Sequence, residues 1–129
     1  KSLWNWVNTF FYPRNSMLFR LIKENPVDDI VILRLEVDKN ENNCVISDEN
    51  AATSTANFYS GKFITNSTLT EIKNNADFRL MPECNFEKII PPEKIKKIIV
   101  GQHPSLGRYA SELIGKPMYD CNPTLFFQN

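Results

Sequence analysis

Apolar positions recur along this chain at two spacings, and the spacing changes from segment to segment. Leu3, Trp6, Val7, Phe10 and Phe11 stand three and four apart. That pattern predicts a short amphipathic helix over residues 3–11, closed by Pro13, with Trp4 and Tyr12 off the stripe. Met17 to Lys23 reads as a second helix, with Asn15 or Ser16 at its start and Asn25-Pro26 at its end. Alternation of Met17, Phe19 and Leu21 also suits a strand there, and the helix is preferred. Ile30 to Val37 is the clearest strand. Val31, Leu33, Leu35 and Val37 line one face, and Ile30, Ile32, Arg34 and Glu36 the other. Apolar residues on both faces predict a central position at its start. Asp38 to Asn43 reads as a turn, with Cys44-Val45-Ile46 as the hairpin return.

The second half has more punctuation. Residues 47–57 form a small polar loop, and Phe58 to Ile64 looks like a hairpin around Ser60-Gly61. Thr68 and Glu71 have capping-box spacing before a short helix with Leu69 and Ile72. Asn66-Ser67-Thr68 has the form of a glycosylation acceptor and reads better as part of that cap. Short strands are expected at Phe78–Met81 and Phe86–Ile90. Pro91-Pro92 suits the first turn of a helix with Ile95, Ile98 and Ile99 as its stripe and Gly101 as its end. A further helix runs from Ser105 or Leu106 through Tyr109, Ala110, Leu113 and Ile114, and Gly115 ends it. Leu125-Phe126-Phe127 would return as an edge strand. The expected fold class is α+β, a small mixed sheet with hairpins and several short helices. One domain over residues 1–129, with room for two lobes, is expected.

The chain has 129 residues and 42% hydrophobic composition, enough to bury a core without staples. Fifteen Lys and Arg balance fifteen Asp and Glu. Zero net charge argues against a general nucleic-acid binder and against a polybasic membrane adaptor. No run of apolar residues is long enough to span a bilayer as a helix. Cys44, Cys84 and Cys121 are odd in number and lack any C-x-x-C pairing. They read as small buried hydrophobes in a reducing compartment. The first residue is Lys1 rather than Met, so the chain reads as a fragment of a longer protein.

Candidate chemistry is sparse. His103 is the one histidine, set in a Gln-His-Pro-Ser turn between two expected helices, and reads as a turn residue. Cys44, Cys84, Cys121 and His103 are the right ligand types for zinc at the wrong spacing. Gly101 to Gly107 lacks the Lys-Ser/Thr ending of a phosphate loop. The acids at Asp28-Asp29 and Asp38–Glu41 lack calcium-loop spacing. The expectation is therefore no catalysis, no cofactor and no metal. Charge is uneven along the chain. Lys1, Arg14, Arg20 and Lys23 face only Glu24 in residues 1–25, whereas residues 28–49 are strongly acidic. The aromatic-rich stretch Trp4 to Arg20 has the residue types of a binding hot spot. Tyr12, Arg14, Arg20 and Lys23 are the expected protein-binding face, the guanidinium groups holding carboxylates of a partner. The alternatives are a viral or parasite accessory domain that binds a host protein, and a small hydrolase using His103 with a Cys or Ser.

The run Asp28-Asp29-Ile30-Val31-Ile32-Leu33-Arg34-Leu35-Glu36-Val37, with the later Ile90-Pro91-Pro92-Glu93-Lys94-Ile95, resembles the origin-recognition-complex interacting region of the yeast silent information regulator family. The Asn- and Lys-rich composition adds to the likeness. The resemblance implies a bilobal, non-enzymatic module of the nucleus. It would recruit silencing factors by binding the bromo-adjacent homology domain of the largest origin-recognition subunit, as a monomer, without direct nucleic-acid or membrane contact.

Overall fold

The computed structural model describes residues 6–40, 44–77, 79–101, 112, 115 and 119–126. Among these are seven strands and two α-helices, an α+β architecture as expected. The chain divides into two compact units, each built from two segments. The first comprises Lys1–Asn15 and Asp38–Ile90, and the second Ser16–Val37 and Pro91–Asn129.

The first unit holds a four-stranded antiparallel sheet. Its strands are β1 (Trp6–Phe10), β3 (Cys44–Ser47), β4 (Phe58–Ser60) and β5 (Glu83–Glu87), in the order β1-β5-β3-β4. β1 replaces the helix expected over residues 3–11. Five residues with apolar spacing fit either geometry, and pairing of Trp6–Phe10 with Glu87–Glu83 decides for the strand. β3 is likewise not the return of the Ile30–Val37 strand, since it pairs with β4 and β5. β5 begins three residues earlier than the strand expected at Phe86, and no strand forms at residues 79–81. There Asp77 Oδ1 accepts the backbone N–H groups of Arg79 and Leu80 and holds a turn.

Side chains directly opposite in an antiparallel pair share a face. Cys44, Ile46, Cys84 and Phe86 therefore lie on one face, all buried, and form the apolar core with Ile64 and Ile72. Ile72 lies on α2 (Asn66–Asn75), whose cap is Thr65. Its side chain accepts the Thr68 N–H at 3.1 Å, so the cap falls three residues before the Thr68 box expected from the sequence. Gly61 follows β4 where a Cβ would stand 2.5 Å from the Lys39 carbonyl and 2.9 Å from Cys44 Sγ.

The second unit holds a three-stranded mixed sheet. β2 (Val31–Leu35) pairs antiparallel with β6 (Ile95–Val100), which pairs in parallel with β7 (Tyr119–Cys121). β2 thus lies at an edge rather than at the centre. The helix expected after Pro91-Pro92 is a single 3-10 turn, Pro92–Lys94, that feeds β6. β-branched residues dominate Ile95–Val100 and favour the extended chain, and Ile98 and Val100 point into the core. α1 (Ser16–Glu24) forms where expected. Its last turn is closed by Asn25, whose side chain donates to the Leu21 carbonyl. Leu18 of α1 and Phe126 are buried. Phe126 belongs to a 3-10 turn, Pro123–Phe126, where a strand was expected. His103 lies outside the described residues, and of the expected helix over residues 105–114 only Glu112, which is helical, is among them. Gly115, its expected end, has φ 77°, in the left-handed region that glycine favours.

Candidate functional site

The face of the first sheet opposite its apolar core carries polar residues. The register places Phe10, Glu83, Ser47 and Phe58 in one row across β1, β5, β3 and β4. The next row holds Asn8, Asn85, Val45 and Ser60. Glu83, Asn85 and Ser47 are buried, with 2%, 2% and 0% exposure. Burying a carboxyl group is costly unless something else is gained from it, so Glu83 marks the site.

Residues 48–57, the polar connection between β3 and β4, hold that carboxyl group. Ala51, itself buried, donates its backbone N–H to Glu83 Oε2 at 2.5 Å. The loop is tied at its base. Asp48 accepts from the backbone N–H and from the side-chain amide of Asn57, each at 2.8 Å. Ser47 Oγ donates to the Glu49 carbonyl at 2.6 Å, and Asn50 Oδ1 accepts from the Ala52 N–H. Burial raises the Glu83 pKa above its ordinary value of 4.5, and the Ala51 N–H opposes that rise. The result is a carboxyl group fixed in position and with a raised affinity for protons. Asn85, two residues along β5 on the same face, has a buried Oδ1 with no hydrogen-bond partner among the described residues.

The segment after β1 leaves the sheet beside this carboxyl group. Phe10 pairs with Glu83, and the Phe11 N–H donates to the Pro82 carbonyl at 3.2 Å. Tyr12 and Arg14 follow. Both are half-buried, and the Arg14 Nε is enclosed. Asn15 is buried and donates from its side chain to the Tyr12 carbonyl at 2.8 Å, which fixes the turn. Arg20 and Lys23 lie in the second unit, on α1, and are exposed. The Arg20 guanidinium reaches Met17 Sδ at 3.3 Å, and Lys23 Nζ stands 5.2 Å from the Phe19 ring centroid. The four residues expected to form one binding face thus fall in two pairs on different units.

Reading the sequence missed Glu83, Ser47 and Asn85. Glu83 fell between two expected strands. The available signal was the polar–apolar alternation Glu83, Cys84, Asn85, Phe86, which has the period of a strand. Cys44 and Cys84 are buried, with their sulfur atoms 3.1 Å apart, whereas Cys121 is exposed. Among the described residues, no group of three or more His, Cys, Asp or Glu side chains is placed to hold a metal ion. No helix among them is long and apolar enough to cross a membrane.

The family model described as ssDNA thymidine ADP-ribosyltransferase, DarT, matches residues 1–127. The chain belongs to the DarT family. A Thermosipho africanus (strain H17ap60334) protein, a DNA ADP-ribosyl transferase-DNA ADP-ribosyl glycohydrolase fusion protein, is 31% identical over 115 residues. The match covers 80% of this chain and 29% of that protein, so the chain spans less than a third of the relative's length. The solved structure of Thermosipho africanus DarTG in complex with ADP-ribose has a TM-score of 0.80 and 26% identity, over 99% of this chain and 37% of that one. Two structures of Thermus sp. 2.9 DarT share the fold at lower identity. The complex with ADP-ribosylated ssDNA has a TM-score of 0.79 at 16% identity, over 97% of this chain and 70% of that one. The complex with NAD+ has a TM-score of 0.72 at 17% identity, over 94% and 72%.

DarT membership overturns the resemblance to the silent information regulator family. That likeness rests on Asn- and Lys-rich composition, on the strand pattern of residues 28–37 and on the Ile90–Ile95 stretch read as a helix, which is a 3-10 turn leading into β6. Recruitment of silencing factors, heterochromatin repression and the bromo-adjacent homology partner fall with it. The expectation of a non-enzymatic module is corrected as well, because DarT is a family of transferases. The expectation of no nucleic-acid contact is corrected too, because the family is described by its action on single-stranded DNA. Zero net charge speaks against nonspecific binding along a backbone, and says little about an enzyme that must hold a few nucleotides.

Proposed function

We propose that this chain carries the transferase chemistry of the DarT family, moving ADP-ribose from NAD+ to a thymidine base of single-stranded DNA. The observation that carries the reading is Glu83, a buried carboxyl group fixed on a central strand by a loop N–H. The reaction breaks the bond between ribose C1′ and the nicotinamide nitrogen, and the bonding pair leaves with neutral nicotinamide. Positive charge builds on the ribose as that bond stretches, and a carboxylate beside it stabilises the charge. A nitrogen of the base then bonds to C1′. Thymine has one ring N–H, its imide, so that proton has to leave. Glu83 is the acceptor, and its raised proton affinity brings it closer to the task than an ordinary carboxylate.

Arg14 supplies the complementary charge. A planar guanidinium on the segment beside Glu83 suits the diphosphate of NAD+, which it can hold through two parallel hydrogen bonds. Arg14 keeps its place as a binding residue on this reading, with a diphosphate rather than a protein carboxylate as its ligand.

The test is incubation of the chain with NAD+ and three DNAs: a single-stranded oligothymidylate, a single strand without thymidine, and a duplex. Mass spectrometry should find one ADP-ribosyl group on the oligothymidylate and none on the other two. Equal modification of the strand without thymidine, or modification of no DNA, would overturn the reading.

A further inference from the structure

We infer that Phe58 to Phe63 is a base-stacking platform for nucleotides that flank the target thymidine. The inference rests on the reading of this chain as one that acts on single-stranded DNA. Phe58 stands at 51% exposure on the edge strand β4, and Phe63, in the turn after it, at 79%. Lys62 lies between them in sequence, and its Nζ is 5.8 Å from the Phe63 ring centroid. Two exposed aromatic rings and a cation within six residues are the elements that single strands use. Bases stack on the rings, and the cation meets a phosphate.

The placement relative to Glu83 gives the platform its purpose. Phe58 and Glu83 lie in one row on one face of the sheet, separated by Ser47. Two strand spacings put their backbones about 10 Å apart. Loop 48–57 holds Glu83 through Ala51, and Phe58 follows directly on Asn57, where Asp48 clamps the end of that loop. The ring is therefore tied to the same element that positions the carboxyl group. A nucleotide next to the one at Glu83 would meet it. Stacking tolerates any base, so the platform would add affinity for single strands without selecting the flanking sequence. A duplex, with its bases already stacked, could not use it.

The experiment is fluorescence anisotropy with a labelled single-stranded oligothymidylate, over a range of salt, on the wild-type chain and on Phe58→Ala, Phe63→Ala, the double variant, Phe58→Trp and Lys62→Ala. NAD+ binding and thermal melting are measured on the same samples. Each alanine variant should bind DNA about five-fold or more weakly, with NAD+ binding and melting unchanged. Phe58→Trp should bind at least as well as wild type, and Lys62→Ala should lower the salt dependence by about one phosphate contact. Wild-type binding matched by both alanine variants would overturn the platform alone. Loss of NAD+ binding or of melting temperature along with DNA binding would also overturn it, by making the rings structural. A wild-type chain that binds NAD+ but no single-stranded DNA would overturn the underlying reading and the platform with it.

Discussion

The two units bury different kinds of side chain. Among the described residues of the second unit, the buried side chains are Leu18, Ile98, Val100 and Phe126, all apolar. The first unit has an apolar core of its own, yet it also buries Asn15, Ser47, Glu83 and Asn85. A sheet needs only one apolar face to fold. In the first unit the other face carries groups whose burial opposes folding, and that is where chemistry is to be sought. The second unit offers no such face among its described residues, and the simplest account of its buried side chains is packing.

The comparison predicts opposite responses to substitution. The largest effect is on activity. Glu83→Gln should lower ADP-ribosyl transfer by about 10²–10⁴-fold, the range for a general base. Its melting temperature should hold or rise, because the amide removes a carboxyl group that burial disfavours. Ile98→Ala, at a site with 0% exposure in the second unit, should do the reverse in kind. It should cost about 2–5 kcal/mol in denaturant unfolding, with activity per folded molecule preserved.

Smaller effects sharpen the contrast. Gly61→Ala should cost about 1–3 kcal/mol, because the new methyl would meet the Lys39 carbonyl, which is backbone, and Cys44 Sγ. Gly101→Ala should also destabilise, since the methyl would stand 2.5 Å from Val27 Cγ1, on a stiff β-branched side chain, and 3.2 Å from the buried Phe126 ring. Chemical denaturation of both variants ranks them.

The pH dependence follows from Glu83. Its folded pKa is raised, so between the ordinary value of 4.5 and the raised value the folded state holds more proton than the unfolded one. Its contribution to stability is therefore present at low pH and is lost as pH rises through that window, by at most about 1.4 kcal/mol per pH unit. The difference between wild type and Glu83→Gln across that window isolates it. The smallest effect is expected at Lys97→Ala in the second unit. That change breaks an exposed 2.7 Å ion pair with Asp120 and should cost under about 1 kcal/mol.

Some of this molecule was legible in its sequence, and the misreadings have physical causes. α1 was readable because Pro26 and Asn25 mark its end and Asn15 and Ser16 its start. β2 was readable because its alternation runs for eight residues. β1 and β6 read as helices because the mixed apolar and polar positions of a five- or six-residue segment fit both periods, and only partner strands far along the chain decide between them. In β6 the β-branched residues are the sign of a strand, and Pro91-Pro92 opens only a single 3-10 turn. Glu83 was invisible for a different reason. Nothing local distinguishes a buried acid from a solvated one. Its burial comes from β1, β3 and loop 48–57, all distant in sequence. Arg14 stands out in the sequence by its aromatic neighbours, but only the pairing of Phe10 with Glu83 shows that its segment leaves the sheet next to a buried acid.

The most direct test of the central claim is a single experiment on matched samples of wild type and Glu83→Gln. Both are incubated with NAD+ labelled in its ADP-ribose part and with single-stranded oligothymidylate, and the melting temperature of each sample is taken alongside. The account predicts label on the DNA with wild type, loss of at least 10²-fold with the variant, and a melting temperature in the variant no lower than that of wild type. Transfer by the variant at the wild-type rate, from a sample that melts normally, would contradict it.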